Sequence, residues 1–477
     1  MIFLCLFAGS VPHSIAAAQI SFGLALIAWV VRDLAAFRFQ FTRTPVDWPI
    51  VCFAGLTILS SIFSVEPGLS LPKLKALTLF GVVYLVSANL QSRGVQFLVG
   101  LLIASSLLGV GFSLMEKLWG RGLIISSIEA GSPLKQSALQ SGDVIWMIGR
   151  QRVFSLQGAT GIIRRHRTGE KLEVEALHAG DPVPVSLTVT DELKTLPNPL
   201  GVTVNGRSRQ FRVSGFSRQF LTYAEQMQIL AMLAYGGLLA SARQWRKREL
   251  RSWFGLSAFL FTLFGLALVM TASRAVIAAF IGAVLIVSIG AGRRAIGIAL
   301  LLAMTLGTLG IVAVTSARQQ ITASFNDDST ARRIGYMRAG LRIIPKHPLL
   351  GVGMDSHKRH WQEWGFPGDY ITHTHSTPIQ IAMDRGLPAL ACYIWMIAAI
   401  LISTWRNHKR TESEDDIFRQ SLPLGVFGAV TGFSISSLTN YNFGDSEALM
   451  MLLFVVGMSL AMKQGIQSDS GRAEFAH

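Results

Sequence analysis

The sequence predicts a polytopic α-helical membrane protein of about 11–12 transmembrane helices with one α+β domain inserted into it. Composition is the first reason. Of 477 residues, 51% are hydrophobic and 15% charged, and the mean hydropathy is +0.44. A water-soluble globular chain carries more charge and less apolar surface. The second reason is that uncharged apolar runs recur, and about 20 such residues cross a bilayer. The third is a break in that rhythm, because residues 118–190 replace helical period with turns and alternating strands.

The helices are expected near 14–32, 47–65, 71–90, 94–116, 222–242, 252–271, 274–291, 294–314, 380–405, 420–440 and 445–463. Residues 1–11 either start another helix or form part of one. The chain accordingly divides into N-terminal helices (1–116), the insert (117–190), a connector with central helices (191–314), a long loop (315–379) and C-terminal helices with a tail (380–477). The net charge of +15 reads as topogenic rather than as a nucleic-acid footprint. Arg32, Arg38 and Arg43, then Arg93, then Arg243, Arg246, Lys247, Arg248 and Arg251, then Arg293 and Arg294, then Arg406, Lys409 and Arg410 cluster in short loops. Even numbers of spans separate these clusters, which puts them in the cytoplasm and puts 117–220 and 315–379 on the opposite face. Cys5, Cys52 and Cys392 lie in apolar runs and have neither metal-ligand nor disulfide spacing. Nothing at the N-terminus has the basic region of a cleavable signal peptide.

Within the insert, Gly122-Leu-Ile-Ile-Ser-Ser-Ile-Glu-Ala-Gly-Ser-Pro reads as a strand leaving a glycine turn. Ser141-Gly-Asp-Val-Ile opens a second strand, 159–167 reads as a short helix, and 171–176 with 183–189 closes as a hairpin around Ala179-Gly-Asp-Pro. The segment resembles a bacterial PDZ domain. The resemblance implies that backbone amides at Gly122, Leu123 and Ile124 grip a peptide's C-terminal carboxylate while the peptide adds as a strand to a sheet edge. Ser137-Ala-Leu and Arg121 depart from the usual pattern. A PDZ-shaped spacer that binds nothing is the alternative.

Four motifs fall on the same outer face. They are Phe211-Arg-Val-Ser-Gly ahead of a helix, Thr271-Ala-Ser-Arg at a helix start, Leu350-Gly-Val-Gly-Met-Asp, and His373-Thr-His-Ser-Thr-Pro at the mouth of a later helix. Their order resembles the O-antigen ligase family, whose relatives include O-antigen polymerases and protein O-oligosaccharyltransferases. Ser273-Arg274, Gly351-Val-Gly353 and His375-Ser376 carry the match, with Ser376 standing where Asn is common.

The resemblance implies a donor glycan on a polyprenyl diphosphate, a hydroxyl acceptor and no cofactor. His375 would take the acceptor's proton, since an imidazole titrates near neutral pH. Arg274, and by a looser match Arg212, would hold the leaving diphosphate through the planar guanidinium fork. Arg332 and Arg333 open a basic helix with Arg338, Arg342, Ile334, Met337, Leu341 and Ile344. That helix is expected to lie on the membrane, guiding phosphate or binding anionic lipid. His373 and His375, with His357 and His360, are the alternative as half of a metal site, and the expectation is that no metal is used. A PDZ-bearing intramembrane protease needs His-Glu-x-x-His, which the sequence lacks. Polymerisation of lipid-linked glycans, protein O-glycosylation, and a non-catalytic transporter or scaffold stay open as other readings.

Overall fold

In the computed structural model the chain forms two compact units. The described residues are all of 1–477 except 38–42, 136, 138, 179–180, 210, 218, 249, 293–294, 300–301, 303–326, 369–371 and 475–477. Most of the helix expected at 294–314, the first part of the 315–379 loop, Arg38, Arg293, Arg294 and the Ala179-Gly turn therefore lie outside them.

The membrane unit comprises Met1–Val110, Ser214–Leu309 and Asp327–His477. Its helices are α1 (Ile2–Ser10), α2 (Ile15–Ala35), α3 (Asp47–Ile62), α4 (Pro67–Asn89, with a 3-10 stretch over Leu71–Phe80) and α5 (Ser92–Trp119, whose end belongs to the insert). Beyond the insert come α8 (Phe220–Arg243), α9 (Leu250–Met270), α10 (Arg274–Ala291), α11 (Asp327–Ile343), α12 (Thr377–Thr411), α13 (Ile417–Ser436) and α14 (Ser446–Glu474). Among the described residues, six are long and apolar enough to cross a bilayer: α2, α4, α5, α9, α10 and α12. Ten of the eleven predicted spans coincide with helices, and α1 accounts for residues 1–11.

Two helices fail a simple hydropathy test for a good reason. Helix α8 is buried all round and carries Glu225, Gln226 and Gln228 on its second and third turns. It packs on α9 and α13, and α13 packs in turn on α10 and α12. These central helices can hold polar side chains because protein rather than lipid surrounds them.

The insert occupies Gly111–Val213. Six antiparallel strands, β1 (Leu123–Ile128), β2 (Val144–Ile148), β3 (Gln151–Arg152), β4 (Lys171–His178), β5 (Asp181–Thr188) and β6 (Val202–Val204), pair in the order β5-β4-β2-β1-β6, with β3 against β2. Helix α6 (Leu156–Arg165) starts at Ser155, whose Oγ accepts the Gly158 amide at 3.0 Å. Its Ala159, Ile162 and Ile163 join Ile125, Ile145, Ile148, Val174 and Val202 in one core. Helix α7 (Asp191–Thr195) follows β5. At the end of α5, buried Glu116 accepts from Arg152 Nη1 at 2.6 Å, tying the first strands to the chain that enters them.

Two expectations are corrected here. The sheet runs past residue 190, because β6 pairs with β1 through Ile125–Val204, Ser127–Thr203 and Ile128–Val202. Strand β1 is thereby interior. Leu123 pairs across to Ile145, and the Ile124 amide donates to Gly206 O at 3.1 Å. Gly122, Leu123 and Ile124 have no free edge to offer, and a Cβ at Gly122 would lie 2.7 Å from Ile145 O. The edge next to β1 is β6, with Gly201 turning into it at φ +57°.

Candidate functional site

The site begins with a broken helix. Gly386 sits inside α12 at φ 85°, ψ 169°, and Pro388 follows it. The break frees the carbonyls of Met383 and Asp384, which accept the amides of Val352 (2.9 Å) and Gly353 (2.9 Å); Leu387 N donates back to Pro348 O at 2.8 Å. The 348–353 segment is thus laid against the first turns of α12 as a backbone clasp. Such an approach leaves no room for side chains. A Cβ at Gly351 would meet the Asp384 carbonyl carbon at 2.4 Å, one at Gly353 the Ser64 Oγ at 1.9 Å, and one at Gly386 the Leu349 O at 2.1 Å. The Gly-x-Gly motif is explained by this contact.

The clasp carries Met354 and Asp355 to the wall of a cavity of ≈ 700 Å³. Lys73, Glu225, His357, Lys358, His373, His375, Asp384, Arg385 and Asn440–Asp445 also line it. Asp355 is held by Lys73 at 2.7 Å and Lys358 at 2.9 Å. Burial pushes its carboxyl up, but the two lysine bonds outweigh burial and leave it low. On α8, Glu225 accepts from Ser436 Oγ at 2.7 Å and Asn442 Nδ2 at 3.3 Å. Asn442 Oδ1 accepts from Thr377 Oγ1 at 3.1 Å, at the first residue of α12.

His375 precedes that residue by two. Thr377 N donates to Ser437 O at 2.8 Å, and Thr374 N donates to Gln380 Oε1 at 2.8 Å. These bonds hold His375 in the left-handed region at φ 54°, while Asp355 (φ 62°) and Ala272 (φ 52°) share that strain. The His375 amide donates to His373 Nδ1 at 3.1 Å, so a neutral His373 carries its proton on Nε2. The His375 ring stacks on Tyr336 at 5.6 Å. Burial first, then His373, then the Arg333 charge, pull the His375 imidazole down to about 3. Burial, His357 and Arg333 bring His373 to about 4. Both are neutral at physiological pH. Ser376 is buried at the N-cap of α12, and its side chain makes no cap hydrogen bond.

Arg333 lies on α11, and its own pKa is lowered by burial and then by the charge of Arg274. Arg274, Arg333 and the two histidines are therefore electrostatic neighbours. Arg274 starts α10 after a tight corner in which Thr271 N donates to Leu268 O at 3.1 Å and Ile277 N to Ser273 O at 2.9 Å. It is exposed. Arg332 is exposed on α11 and is not among the cavity-lining residues. Arg212 belongs to the other unit.

Helix α11 carries a buried stripe besides the expected apolar one. Tyr336, Ala339 and Ile343 are its buried stripe, packed with Val352, Trp361, Phe366 and Met383. Ile334 and Leu341, assigned to the membrane-facing side, are 42% and 53% exposed opposite that stripe. The helix is apolar on two faces, one packed on the protein and one turned outward. Among the described residues no three His, Cys, Asp or Glu side chains converge as a metal site. Asp384, Arg385 and Glu225 were not anticipated. The available signal was their charge inside otherwise apolar helices.

The paired histidines, the arginine pair and the glycine clasp come from one stretch of sequence, while the cavity draws on residues outside it as well. Residues 258–394 match the O-antigen ligase family. The matched O-antigen ligase domain contains Ser273-Arg274, Gly351, Gly353, His375 and the break at Gly386. Residues 106–189 match the PDZ domain, a span that stops short of β6. No curated protein matches the chain. The chain is a multi-pass membrane protein with an O-antigen ligase domain and a PDZ domain, and the ligase-family match supports a glycan-transferring enzyme.

Proposed function

We propose that this O-antigen ligase domain moves a glycan from a polyprenyl diphosphate donor to a hydroxyl acceptor at the periplasmic face of a bacterial inner membrane, without a metal. The observation that carries the reading is the grouping of His375 with Arg333 and Arg274. The acceptor hydroxyl attacks the anomeric carbon as its proton passes to His375. The anomeric C–O bond to phosphate breaks, and its electron pair leaves with the polyprenyl diphosphate. Two guanidiniums that repel each other are poised for a doubly charged leaving group. The same anion lifts the imidazole's depressed basicity when it binds, so the base strengthens once donor is present. Arg332, exposed on the same helix, is proposed as an outer phosphate contact. The PDZ domain is proposed to recruit a partner by adding a peptide strand at β6, which favours a protein-associated acceptor over a free lipid-linked glycan.

Transfer of a labelled glycan by the purified full-length protein tests this. His375→Ala should lower turnover by roughly 10²–10⁴-fold, the scale of a lost general base, with donor binding kept. Arg274→Lys should lose activity despite its charge, because an ammonium cannot make the bidentate fork. A chelator should leave the rate unchanged. Near-normal turnover in both variants would sink the assignment, and chelator inhibition reversed by a divalent ion would replace the arginine role with a metal.

A further inference from the structure

Arg385 stands two turns into α12, one residue before the break, and lines the cavity. It is 5% exposed. Its Nε and Nη1 are buried with no hydrogen-bond acceptor among the described residues. Its Nη2 meets the Met354 sulfur at 2.9 Å, a weak thioether acceptor, and the neutral Tyr441 hydroxyl is its other side-chain hydrogen-bonding neighbour. The Phe53 ring lies 5.6 Å below the guanidinium. The adjacent carboxylate does not complete it. Asp384 Oδ2 is 4.0 Å from Nη1, and both Asp384 oxygens accept from Gln380 Nε2 at 3.0 Å. The other cations of this wall are satisfied differently, since Lys73 and Lys358 share Asp355.

A buried guanidinium with idle donors is costly to keep unless something anionic meets it. We infer that Arg385 is an anion-binding residue of the cavity, and that a phosphate or carboxylate group of a bound substrate completes its hydrogen bonding. The inference rests on the glycan-transfer reading and extends it. It adds a guanidinium to the wall of the cavity, which Arg274 and Arg333 do not line. The planar fork selects a planar or tetrahedral oxyanion over a neutral sugar. The group comes either from the donor's diphosphate or from an acidic or phosphorylated sugar.

Binding without turnover separates these sources. The full-length protein in detergent is titrated with farnesyl diphosphate, with glucuronic acid and with glucose 6-phosphate, using glucose as the neutral control. Arg385→Met should weaken at least one anionic probe tenfold or more, and Arg385→Lys should lose less. Loss confined to farnesyl diphosphate assigns the donor; loss confined to an acidic sugar assigns the acceptor. The apo melting temperature of Arg385→Met is measured beside the titrations, since the substitution also takes the guanidinium from buried Asp384, 4.0 Å away. Unchanged affinity for all three anions, or a lowered apo melting temperature with wild-type binding, overturns the inference in favour of a structural arginine. His375→Ala and Arg274→Lys are read in the transfer assay, so failure of the catalytic assignment shows there and leaves the Arg385 titrations to stand or fall alone.

Discussion

At the scale of residues, the site depends on charges that oppose one another. His375 is held near 3 and His373 near 4 by burial and by neighbouring positive charge, against about 6.5 for a free imidazole. For kcat/KM, which reports the free enzyme, the acid limb should therefore lie well below the ordinary histidine range. The profile should be flat from pH 8 to about 5. Arg333→Gln removes one depressing charge, so the limb should move upward in pH while the maximum falls. A limb near 6.5 in the wild type, unmoved by Arg333→Gln, would count against these roles. The stability sign follows from the same shifts. Both folded pKa values lie below the unfolded value, so the neutral histidines contribute fully above about pH 6.5 and that contribution is lost as pH falls toward the folded values. The apparent melting temperature of the apo protein should drop over that window, and the double variant His373→Ala, His375→Ala should flatten the drop.

At the scale of elements, the broken helix is the device that builds the site. Gly353→Ala places a Cβ 1.9 Å from Ser64 Oγ and holds a non-glycine residue at φ 91°. The backbone strain alone costs about 1–3 kcal/mol, and the overlap adds to it. The variant should lower the melting temperature and the yield of detergent-extracted protein, and Gly386→Ala should do likewise. Wild-type behaviour in both would show that the clasp is dispensable. Much of this was legible beforehand. The apolar runs located ten helices, and Ser273-Arg274, Gly-Val-Gly and His375 were visible as motifs. The reason for the glycines was not, because a carbonyl freed at Gly386 meets an amide more than thirty residues earlier in the chain. The buried stripe of α11 was not foreseen, because Tyr336 and Ile343 keep helical period as well as the outward Ile334 and Leu341 do. The insert's edge was misplaced because a three-residue strand, Val202-Thr203-Val204, is too short to register as alternation, and sheet order does not follow chain order. A bound C-terminal peptide should accordingly slow hydrogen exchange at 202–204 and leave Leu123 and Ile124, already paired, unchanged. New protection at Leu123 and Ile124 alone would restore the original placement.

At the scale of the whole molecule, the loop charges and the insert's closure make two claims that single side chains cannot. With Cys5, Cys52 and Cys392 replaced by Ala, a cysteine at exposed Ser155 should react with an impermeant reagent added from the periplasm, and one at exposed Arg246 should not; reversed labelling would move the catalytic loop to the cytoplasm and end the lipid-linked donor reading. The second claim is that recruitment and chemistry are separable. The two ends of the insert meet, with Arg121 N donating to Ser208 O at 2.7 Å and Ser208 N to Arg121 O at 3.2 Å. A cut from Gly122 to Arg207 can therefore be closed by a short flexible linker without stretching the remaining chain, whereas a cut ending at residue 190 would strand β6 without its sheet. The linker variant should still transfer glycan to a small soluble acceptor at a rate within a few-fold of wild type. It should use its natural acceptor much less well at low concentration, and raising acceptor concentration should recover the rate, because a recruiter supplies effective concentration and leaves the barrier alone. A variant that inserts and melts normally yet transfers to no acceptor at any concentration would make the PDZ domain part of the catalytic machinery.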